Sequence, residues 1–419
     1  MGKYIYSLGN VGLWEASRPL LWPLVLGFYW KLGLDPLFFG KITAIVFSIG
    51  IIALTYIISA RLFDKKTAWI ASLFVSLSQT FFMFSGILHS EIPSAFLALI
   101  GIYFFVIRSY KYSGLFFGLA FMARFFQLFL AMPLVLLLCY MAARKNEPLK
   151  SLLNFTAFFL IPTIPYLILN FILYGSMFYP FFLQAFMVKY TGWVFEQPFY
   201  FYLSALVKEN VLAVFSIFGL AFALRKYDSG KYALALAFIA GFIPYNFIAH
   251  KEMRFLIPVI PLLYMLASYG LVHSVGLLKK RKSLVLFSLL GIFIALSAPG
   301  LRFDSYEDNL DFFYDYVSES DVGNVWVSNP AFIAFSDKKV DELIYYPLYD
   351  SRKTDSLEQN AANANLILIN TCDIQCPEKD ESCNNRHSAF IGSLKRNFSL
   401  EGYAENGQCI YYIFKKVYN

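Results

Sequence analysis

The sequence predicts a multi-pass α-helical membrane protein with about ten spanning helices, followed by a small α/β domain outside the membrane. The first observation is composition, because 58% of the 419 residues are hydrophobic and only 15% are charged, whereas soluble domains are nearer half apolar and a quarter charged. The second is that apolar runs long enough to cross a bilayer recur through residues 37–299. The third is that residues 300–419 are polar and hold four of the five cysteines.

Residues 1–36 form the first predicted region, part of an outer loop with an interfacial helix. Residues 1–18 are polar and contain no leading apolar segment. Residues 19–34 are apolar and aromatic, but this run is short and is interrupted by Pro19 and Pro23. It is therefore predicted to lie along the membrane interface.

The membrane core, residues 37–299, contains the ten candidate spans. The fourth is short and is predicted to be broken or re-entrant, which a membrane tolerates only against protein or a cavity. The ten segments are 37–60, 67–84, 91–108, 113–124, 127–143, 151–174, 199–224, 232–249, 255–278 and 283–299.

The loops between these segments alternate between Lys/Arg-rich and Lys/Arg-poor. Arg61, Lys65 and Lys66 form one basic loop, and Arg225, Lys226 and Lys231 form another. Because cytoplasmic loops carry the excess of cations, the cation-poor loops and everything after residue 299 are predicted to be extracytoplasmic. The N-terminal tail then also lies outside without a preceding helix, so we expect a first helix to be missing from this chain. The compact chain and its Lys-rich cytoplasmic loops favour a location in a prokaryotic cell membrane. In a eukaryote, the expected location is the ER membrane.

Residues 300–419 are predicted to form the extracytoplasmic α/β domain, with buried strands at 325–327, 366–369 and 409–414. Four cysteines in one short region indicate either disulfides or a zinc site. Their spacing does not match paired zinc knuckles, and an extracytoplasmic location favours two disulfides of unspecified pairing. These cysteines are Cys372, Cys376, Cys383 and Cys409.

Residues 250–255 (HKEMRF) form the densest polar segment between two apolar runs. The simplest interpretation is an interfacial loop whose Lys and Arg extend toward headgroups. Such a loop needs only one cation, whereas this segment has four ionisable side chains within five residues. Charged groups near a membrane usually have a function. We therefore predict functional roles for His250, Lys251, Glu252 and Arg254.

Five further candidates lie on the predicted outer side. His89 and Glu91 precede an apolar run, where the carboxylate has the alternative role of favouring the positive end of a helix dipole. Arg124 lies between two apolar segments and is expected to pair with a carboxylate or a ligand phosphate. Glu15 and Arg18 lie beside the first apolar stretch.

The outer-side residues combine cations, carboxylates, imidazoles and aromatic rings. Arg and Lys suit a phosphate at headgroup level, a carboxylate suits deprotonation of a hydroxyl, and aromatic rings suit a sugar. This combination predicts transfer of a sugar from a lipid-phosphate carrier in the bilayer. The sequence contains no nucleotide-binding motif, and its net charge of +7 is spread over short loops, which argues against nucleic acid. The sequence assigns no metal ligands, and whether the protein uses a divalent metal stays open.

Residues 250–255 resemble the HKE-x-RF signature of the dolichyl-phosphate-mannose-dependent mannosyltransferases of the GT-C superfamily. Residues 12–23 (GLWEASRPLLWP) resemble the end of that family's first outer loop, and the resemblance extends over residues 10–300. It implies an inverting glycosyltransferase that moves a hexose, with mannose as the sugar the signature suggests. The donor would be a polyprenyl- or dolichyl-phosphate sugar, and the acceptor an extracytoplasmic glycan, lipid or protein. Its donor-phosphate residues would be His250, Lys251, Glu252, Arg254 and Arg124.

One departure from the family concerns the catalytic base. The family carries an acidic motif with an Asp after its first helix, whereas this sequence has no Asp before Asp35. N-terminal truncation is the favoured explanation; alternatively Glu15 or Glu91 is the base, or the protein is a non-catalytic relative. A transporter of lipid carriers or solutes is the other function class. If the protein is a transporter, Arg124 and His250 are expected at the middle of the membrane. If it is an enzyme, they are expected to line a cavity on the outer side.

Overall fold

The structure, a computed structural model, describes residues 1–191, 195–278, 281–301, 315–317, 322–330, 332–344, 357–377, 380–406 and 409–417. Its larger part is helical, and a small sheet follows. The helices of the larger part are α1 (Gly2–Tyr6), α2 (Leu21–Lys31), α3 (Pro36–Leu62), α4 (Lys65–Ser76), α5 (Gln79–Phe84), α6 (Glu91–Val106), α7 (Tyr110–Ala123), α8 (Leu128–Ala143), α9 (Leu149–Tyr174), α10 (Tyr179–Thr191), α11 (Phe201–Glu209), α12 (Phe215–Arg225), α13 (Ser229–Phe247), α14 (Ile260–Gly276) and α15 (Lys282–Ser297).

Aspartates cap several of these helices at the N-terminus. Asp35 accepts a hydrogen bond from the Leu37 amide at 2.8 Å, and Pro36 occupies the first turn of α3. Asp64 and Asp228 accept from backbone amides in the first turns of α4 and α13, each at 2.9 Å. A carboxylate at this position satisfies an otherwise unpaired amide and favours the positive helix end, so local sequence defines these helix starts.

Each of the ten predicted segments falls on helix, but the count of ten spans is not confirmed. Among the helices in the described part of the chain, four are long and apolar enough to cross a membrane. Two predicted segments are each divided into two helices, one at residues 77–78 between α4 and α5, and the other at Asn210 between α11 and α12. In each segment, the continuous apolar run in the sequence is longer than either of the helices that it forms. The four are Pro36–Leu62, Phe125–Ala143, Leu149–Tyr174 and Lys282–Gly300, and three shorter apolar helices are Glu91–Val106, Val211–Arg225 and Ile260–Gly276.

Glu209 joins the two helix breaks. The Ser78 and Thr80 hydroxyls each donate to its carboxylate at 2.5 Å. Beside it, the buried Asn210 side chain accepts from the Leu212 amide at 3.0 Å. Polar groups at a helix break are tolerated within a membrane protein when other protein groups satisfy them, as Glu209 does for the Ser78 and Thr80 hydroxyls.

Helices α12 and α14 cross closely at two glycines. A Cβ atom on Gly219 would lie 1.9 Å from the Leu266 carbonyl oxygen, and one on Gly270 would lie 2.0 Å from the Phe215 carbonyl oxygen. Both distances are far shorter than a van der Waals contact. The contacted atoms belong to the backbone, so they cannot move aside as a flexible side chain could. Small residues at such crossings let two helices approach closely in the membrane.

Gly219→Leu is therefore expected to destabilise the helical core. Overpacking a tight contact costs about 1–3 kcal/mol or more, and we expect a lower melting temperature in a detergent-based thermal shift assay. Gly291→Leu is the matched control, because nothing lies within 4 Å of the Cβ position at this helical glycine of α15. Equal melting temperatures for the two variants would show that the crossing is not a constraint.

The C-terminal part contains a five-stranded mixed sheet in the order β2-β1-β3-β5-β4. β1 pairs in parallel with β2 and β3, and β5 pairs antiparallel with β3 and β4. The predicted strands 325–327, 366–369 and 409–414 all fall on sheet strands; β2 and β4 were missed because both carry charged residues. The elements are β1 (Val325–Val327), α16 (Phe332–Phe335), β2 (Val340–Leu343), β3 (Leu366–Asn370), α17 (Glu381–Asn397), β4 (Phe398–Asn406) and β5 (Cys409–Lys416).

The four C-terminal cysteines form two disulfides, as expected. Cys372 is bonded to Cys409, and Cys376 is bonded to Cys383. The first disulfide joins the end of β3 to the start of β5, and the second closes a short loop at the start of α17. The fifth cysteine, Cys139, has a free thiol and is exposed on α8.

The C-terminal part is attached to the N-terminal region. The Gly12 amide donates to the Lys338 carbonyl at 3.0 Å, and the Val340 amide donates to the Gly12 carbonyl at 2.9 Å. The Asp337 carboxylate lies 2.9 Å from the Lys3 ammonium and accepts from the Trp30 indole at 3.0 Å. These contacts place one edge of the sheet over residues 1–36. The division at residues 36/37 and 299/300 stays a prediction.

Candidate functional site

A cavity of about 780 Å³ lies where several helix ends meet the C-terminal part. A cavity of this volume is in the usual range for small-molecule sites. Seven of the nine non-cysteine candidates from the sequence line it, whereas Lys251 and Glu252 are not among its lining residues. The seven are Glu15, Arg18, His89, Glu91, Arg124, His250 and Arg254.

The centre of the cavity wall is an ion pair between Glu91 and Arg124. Glu91 is the first residue of α6 and is only 3% exposed. Arg124 follows the last residue of α7 in an extended conformation, which turns its side chain back toward α6. The guanidinium carbon lies 5.1 Å from the centroid of the Phe255 ring. Two charges removed from water in this way are stable only as a pair, so each depends on the other.

Arg254 links this pair to a second carboxylate. Its Nη2 atom lies 2.6 Å from Glu252 Oε1, and its Nε atom lies 3.8 Å from Glu91 Oε1. Its Nη1 atom is 3.5 Å from Nε2 of His89. Arg254 lies in a 3-10 turn, Met253–Leu256, that separates α13 from α14. The two arginines and the two glutamates thus form one connected cluster, which we call the arginine cluster.

Two histidines border the arginine cluster. His250 Nε2 lies 2.6 Å from Glu252 Oε1, and its ring stacks on Phe195 at a centroid distance of 4.6 Å. Burial acts to raise the pKa of Glu252, but the His250 hydrogen bond and the Arg254 guanidinium outweigh it and leave the pKa lowered. Burial lowers the pKa of His89, with Glu91 opposing and the two arginines reinforcing the shift. Glu252 is therefore an anion and His89 a neutral imidazole at pH 7.

Lys251 contacts protein rather than the cavity. Its ammonium group donates to the Gln197 carbonyl at 2.8 Å, its backbone amide donates to the Phe195 carbonyl at 3.0 Å, and the residue is 6% exposed. Glu196 and His250 form an antiparallel bridge beside it. These bonds tie the segment before α11 to the segment after α13. The assignment of Lys251 to the donor phosphate stays a prediction, and the contacts observed are structural ones.

The arginine cluster has unused hydrogen-bonding capacity. The Nε atoms of Arg124 and Arg254 are buried and have no hydrogen-bond partner among the described residues. Buried donors without a partner are uncommon in proteins, and each calls for a reason such as a ligand. Both arginines line the cavity, so an anion there would find guanidinium donors already oriented by carboxylates.

Glu15 and Arg18 line the same cavity. Their side chains form an ion pair with Arg18 Nε 2.8 Å from Glu15 Oε1, and Arg18 is 48% exposed at its side chain. Glu15 thus has a half-exposed ion-pair partner, whereas Glu91 lies between Arg124, 11% exposed at its side chain, and Arg254, 25% exposed. Among the described residues, no group of three or more His, Cys, Asp or Glu side chains is placed to hold a metal ion.

Sequence reasoning missed Asp373, which lines the cavity from the C-terminal part. Its neighbour Cys372 indicated a disulfide in this segment. No local sequence pattern indicates that the same segment lines the cavity. It also missed Tyr202, which is fully buried and donates its hydroxyl to the Glu252 carbonyl at 3.2 Å. No local sequence pattern indicates that Tyr202 contacts residues 250–255.

Solved structures with the same fold share low sequence identity with this chain. ArnT from Cupriavidus metallidurans, bound to undecaprenyl phosphate, aligns with a TM-score of 0.65 and 12% identity over 98% of this chain and 92% of that one. The Archaeoglobus fulgidus oligosaccharyltransferase with zinc and sulfate aligns with a TM-score of 0.58 and 13% identity over 98% and 68%. The same organism's AglB, with an inhibitory peptide and a dolichol-phosphate, aligns with a TM-score of 0.56 and 12% identity over 98% and 69%.

This architecture is the GT-C fold of membrane-embedded glycosyltransferases, as the HKE-x-RF segment indicated. The sequence model of the Alg9-like mannosyltransferase family matches residues 14–303. The chain belongs to this family and is an integral membrane glycosyltransferase. No curated protein matches the sequence.

Proposed function

We propose that this enzyme transfers a mannosyl group from a polyprenyl- or dolichyl-phosphate carrier to an extracytoplasmic hydroxyl of a glycan, lipid or protein. The observation that carries the proposal is the arginine cluster, with two buried guanidinium Nε atoms that lack a partner at the cavity wall. Guanidinium groups favour phosphate because their planar donors match its oxygens. The ligands of the two fold relatives, undecaprenyl phosphate and dolichol-phosphate, are of the same chemical class.

The cavity also offers an apolar wall for the lipid. Its lining includes side chains that suit an isoprenoid chain next to a headgroup phosphate, namely Leu26, Leu37, Leu88, Met187 and Val188. A carrier placed there would keep its chain against apolar protein and lipid while its phosphate met Arg124 and Arg254. Apolar burial would then supply affinity and the arginines would supply orientation.

The transfer step uses a base, a leaving group and a stabilising charge. The acceptor hydroxyl oxygen bonds to C1 of the sugar, its proton passes to a carboxylate, and the C1–O bond to phosphate breaks. The phosphate leaves with the bonding electron pair, and Arg124 and Arg254 stabilise the charge that develops on it. Attack opposite the phosphate inverts the configuration at C1.

Glu15 is the carboxylate we assign as the base. Glu91 is held by Arg124 and Arg254, and a carboxylate fixed between two cations accepts a proton poorly. Glu15 lines the same cavity, where it forms an ion pair with the half-exposed Arg18. Its side chain is 17% exposed, against 4% for Glu91, so it is the more accessible carboxylate for an acceptor. Glu91 then has a positioning role, because it orients both guanidinium groups.

The test is transfer from a radiolabelled polyprenyl-phosphate mannose by the purified protein in detergent. We expect Glu15→Gln to lower kcat about 10²–10⁴-fold, the usual contribution of a general base, with donor binding retained. Glu147→Gln is the matched control, because this glutamate pairs with Arg108 rather than lining the cavity. Wild-type turnover in Glu15→Gln would assign the base to another group, and no transfer by the wild type would favour the non-catalytic alternative.

Transport is the less favoured function. It predicts ionisable groups at the middle of spanning helices. In this chain Glu91 begins α6, Arg124 follows α7, and His250 and Arg254 lie between α13 and α14. Positions at helix ends suit chemistry at a membrane boundary.

A further inference from the structure

A second contact joins the two segments that carry Glu91 and Arg124. The Nε2 atom of Gln127 donates a hydrogen bond to the Ser94 hydroxyl oxygen at 2.8 Å, and the two residues are 1% and 0% exposed. The Ser94 hydroxyl in turn donates to the Glu91 carbonyl oxygen at 3.0 Å. Ser94 follows Glu91 by three residues, and Gln127 follows Arg124 by three residues. The ion pair and the Gln127–Ser94 hydrogen bond are therefore two adjacent contacts between the same two segments.

The equal spacing of these contacts has a local cause. Side chains three residues apart lie on the same face of an α-helix, which brings Glu91 and Ser94 together in the first turn of α6. Residues 125–127 form a 3-10 turn, in which side chains three residues apart are aligned, and the Gln127 amide donates to the Arg124 carbonyl at 3.0 Å. Each segment thus presents two polar side chains with matching separation.

The turn after Arg124 is also held by aromatic contacts. The Phe125 ring lies 4.5 Å from the Phe181 ring, and the Phe126 ring lies 5.7 Å from the Tyr245 ring, measured between centroids. Apolar packing of this kind is non-directional, and the Coulomb attraction within the ion pair depends on distance. A hydrogen bond depends on its angle as well. The Gln127–Ser94 bond is therefore the contact best suited to set the register of the two segments.

The side chain of Gln127 is not explained by stability. Its Oε1 atom is buried and has no hydrogen-bond partner among the described residues, and a buried polar atom without a partner destabilises a fold. Methionine is unbranched, has a similar volume and carries no such oxygen, so stability alone would favour it at this position. Gln127 is not among the residues that line the cavity, so direct contact with a substrate does not explain its amide either.

We propose that Gln127 is a positioning residue that, through Ser94, holds Arg124 in register with Glu91 and so directs the Arg124 guanidinium at the phosphate site. This inference rests on the proposed function, because Gln127 affects transfer only through Arg124. The Nε atom of Arg124 is buried and has no hydrogen-bond partner in the part of the chain that the structure describes. Its alignment with a phosphate thus depends on where the segment places it. A misplacement of about 1 Å can lower a rate about a hundredfold.

The first experiment replaces Gln127 by methionine, which removes the bond to Ser94 and the unpaired oxygen together. We expect Gln127→Met to lower kcat for transfer from radiolabelled polyprenyl-phosphate mannose about 10–100-fold, with a melting temperature equal to that of the wild type or higher. Ser113→Ala is the matched control. The Ser113 hydroxyl, in a residue 0% exposed, donates to the Gly101 carbonyl at 2.8 Å and joins α7 to α6, and neither residue lines the cavity. This variant should keep the kcat of the wild type.

The combination of a lower kcat with an undiminished melting temperature separates positioning from a structural role. Ser94→Ala removes the other partner of the bond and should lower kcat to the same extent as Gln127→Met. If Gln127→Met kept the kcat of the wild type, the inference would be wrong. A loss of kcat accompanied by a large loss of melting temperature would assign Gln127 a structural role and would also overturn it.

The second experiment needs neither donor nor turnover. Thermal unfolding of Glu91→Gln, Arg124→Gln and the double variant measures the coupling within the ion pair, first in the wild-type background and then in the Gln127→Met background. We expect the recovery of melting temperature in the double variant to fall to about half or less in the second background, because coupling reports on groups held in contact. An unchanged recovery overturns the inference, whether or not the protein transfers sugar. Absence of transfer by the wild type contradicts the proposed function alone.

Discussion

Arg254→Ala is expected to lower kcat/KM for sugar transfer about a thousandfold. Arg254 contacts Glu252 at 2.6 Å and approaches Glu91 and His89 while lining the cavity. The Arg254 and Glu252 side chains are 25% and 23% exposed, so the ion pair itself is only partly buried. The main loss is the guanidinium that stabilises the departing phosphate, because removing one such donor costs about 2.7–4 kcal/mol. The measurement is steady-state transfer from radiolabelled polyprenyl-phosphate mannose, with the kcat and KM of the donor determined separately.

Two further variants show what the guanidinium contributes. Arg254→Lys keeps the positive charge but loses the planar fork, so we expect activity between the alanine variant and the wild type. Arg225→Ala, at the end of α12 and outside the cavity, should retain full activity. If Arg254→Ala kept kcat/KM within threefold of the wild type, the arginine cluster would not be the donor-phosphate site.

Glu91 and Arg124 are expected to show a large compensating effect in a double-mutant cycle. Glu91→Gln leaves a buried guanidinium without its partner, and Arg124→Gln leaves a buried carboxylate with only the more distant Arg254. Breaking a buried pair from either side costs about 3–5 kcal/mol, whereas replacing both charges is often close to neutral. We expect each single variant to lose stability and the double variant to recover most of it, in thermal unfolding followed by size-exclusion chromatography.

Activity should not follow stability in this cycle. The double variant is folded but lacks Arg124, so transfer should stay at least a hundredfold below the wild type. The matched control is the solvent-accessible pair Lys339–Asp341, at 2.9 Å with side chains 48% and 25% exposed, where single and double changes should each stay within about 1 kcal/mol. Additive losses at Glu91 and Arg124 would mean that the two residues are not coupled, and a fully active double variant would exclude Arg124 from donor binding.

The positions of most helices follow from local sequence. Apolar runs bounded by charged loops predict helix in a membrane, because a spanning segment must satisfy its backbone polar groups internally. Caps such as Asp35 and Asp228 mark helix starts for a local reason, and the cysteines outside the membrane core predicted disulfides from composition. The number of spans was harder to predict, since the interruptions at Ser78 and Asn210 lie inside continuous apolar sequence and depend on Glu209 from another helix.

The candidate site was predicted only as a set of residues. Dense polar side chains between apolar runs identified His250, Arg254, Arg124 and Glu91, because an ionisable group beside a membrane is costly and therefore informative. Their pairing could not be predicted, since the partners of Glu91 lie on segments far apart in the chain. The same limit applies to Lys251, whose charge suggested a phosphate contact but whose ammonium group binds the Gln197 carbonyl.

By itself, the sequence determined that this protein is an α-helical membrane protein with a dense polar segment and a disulfide-bonded C-terminal part, and the HKE-x-RF motif of that segment carried its resemblance to the GT-C superfamily. These features follow from composition, periodicity and short motifs, which act over neighbouring residues. Only the tertiary structure decided that two arginines share two carboxylates and that Glu15 and Glu91 have different partners. It also decided that Asp373 reaches the cavity. Such contacts depend on which helix ends and loops meet in space, because charges interact through distance and burial rather than through separation along the chain.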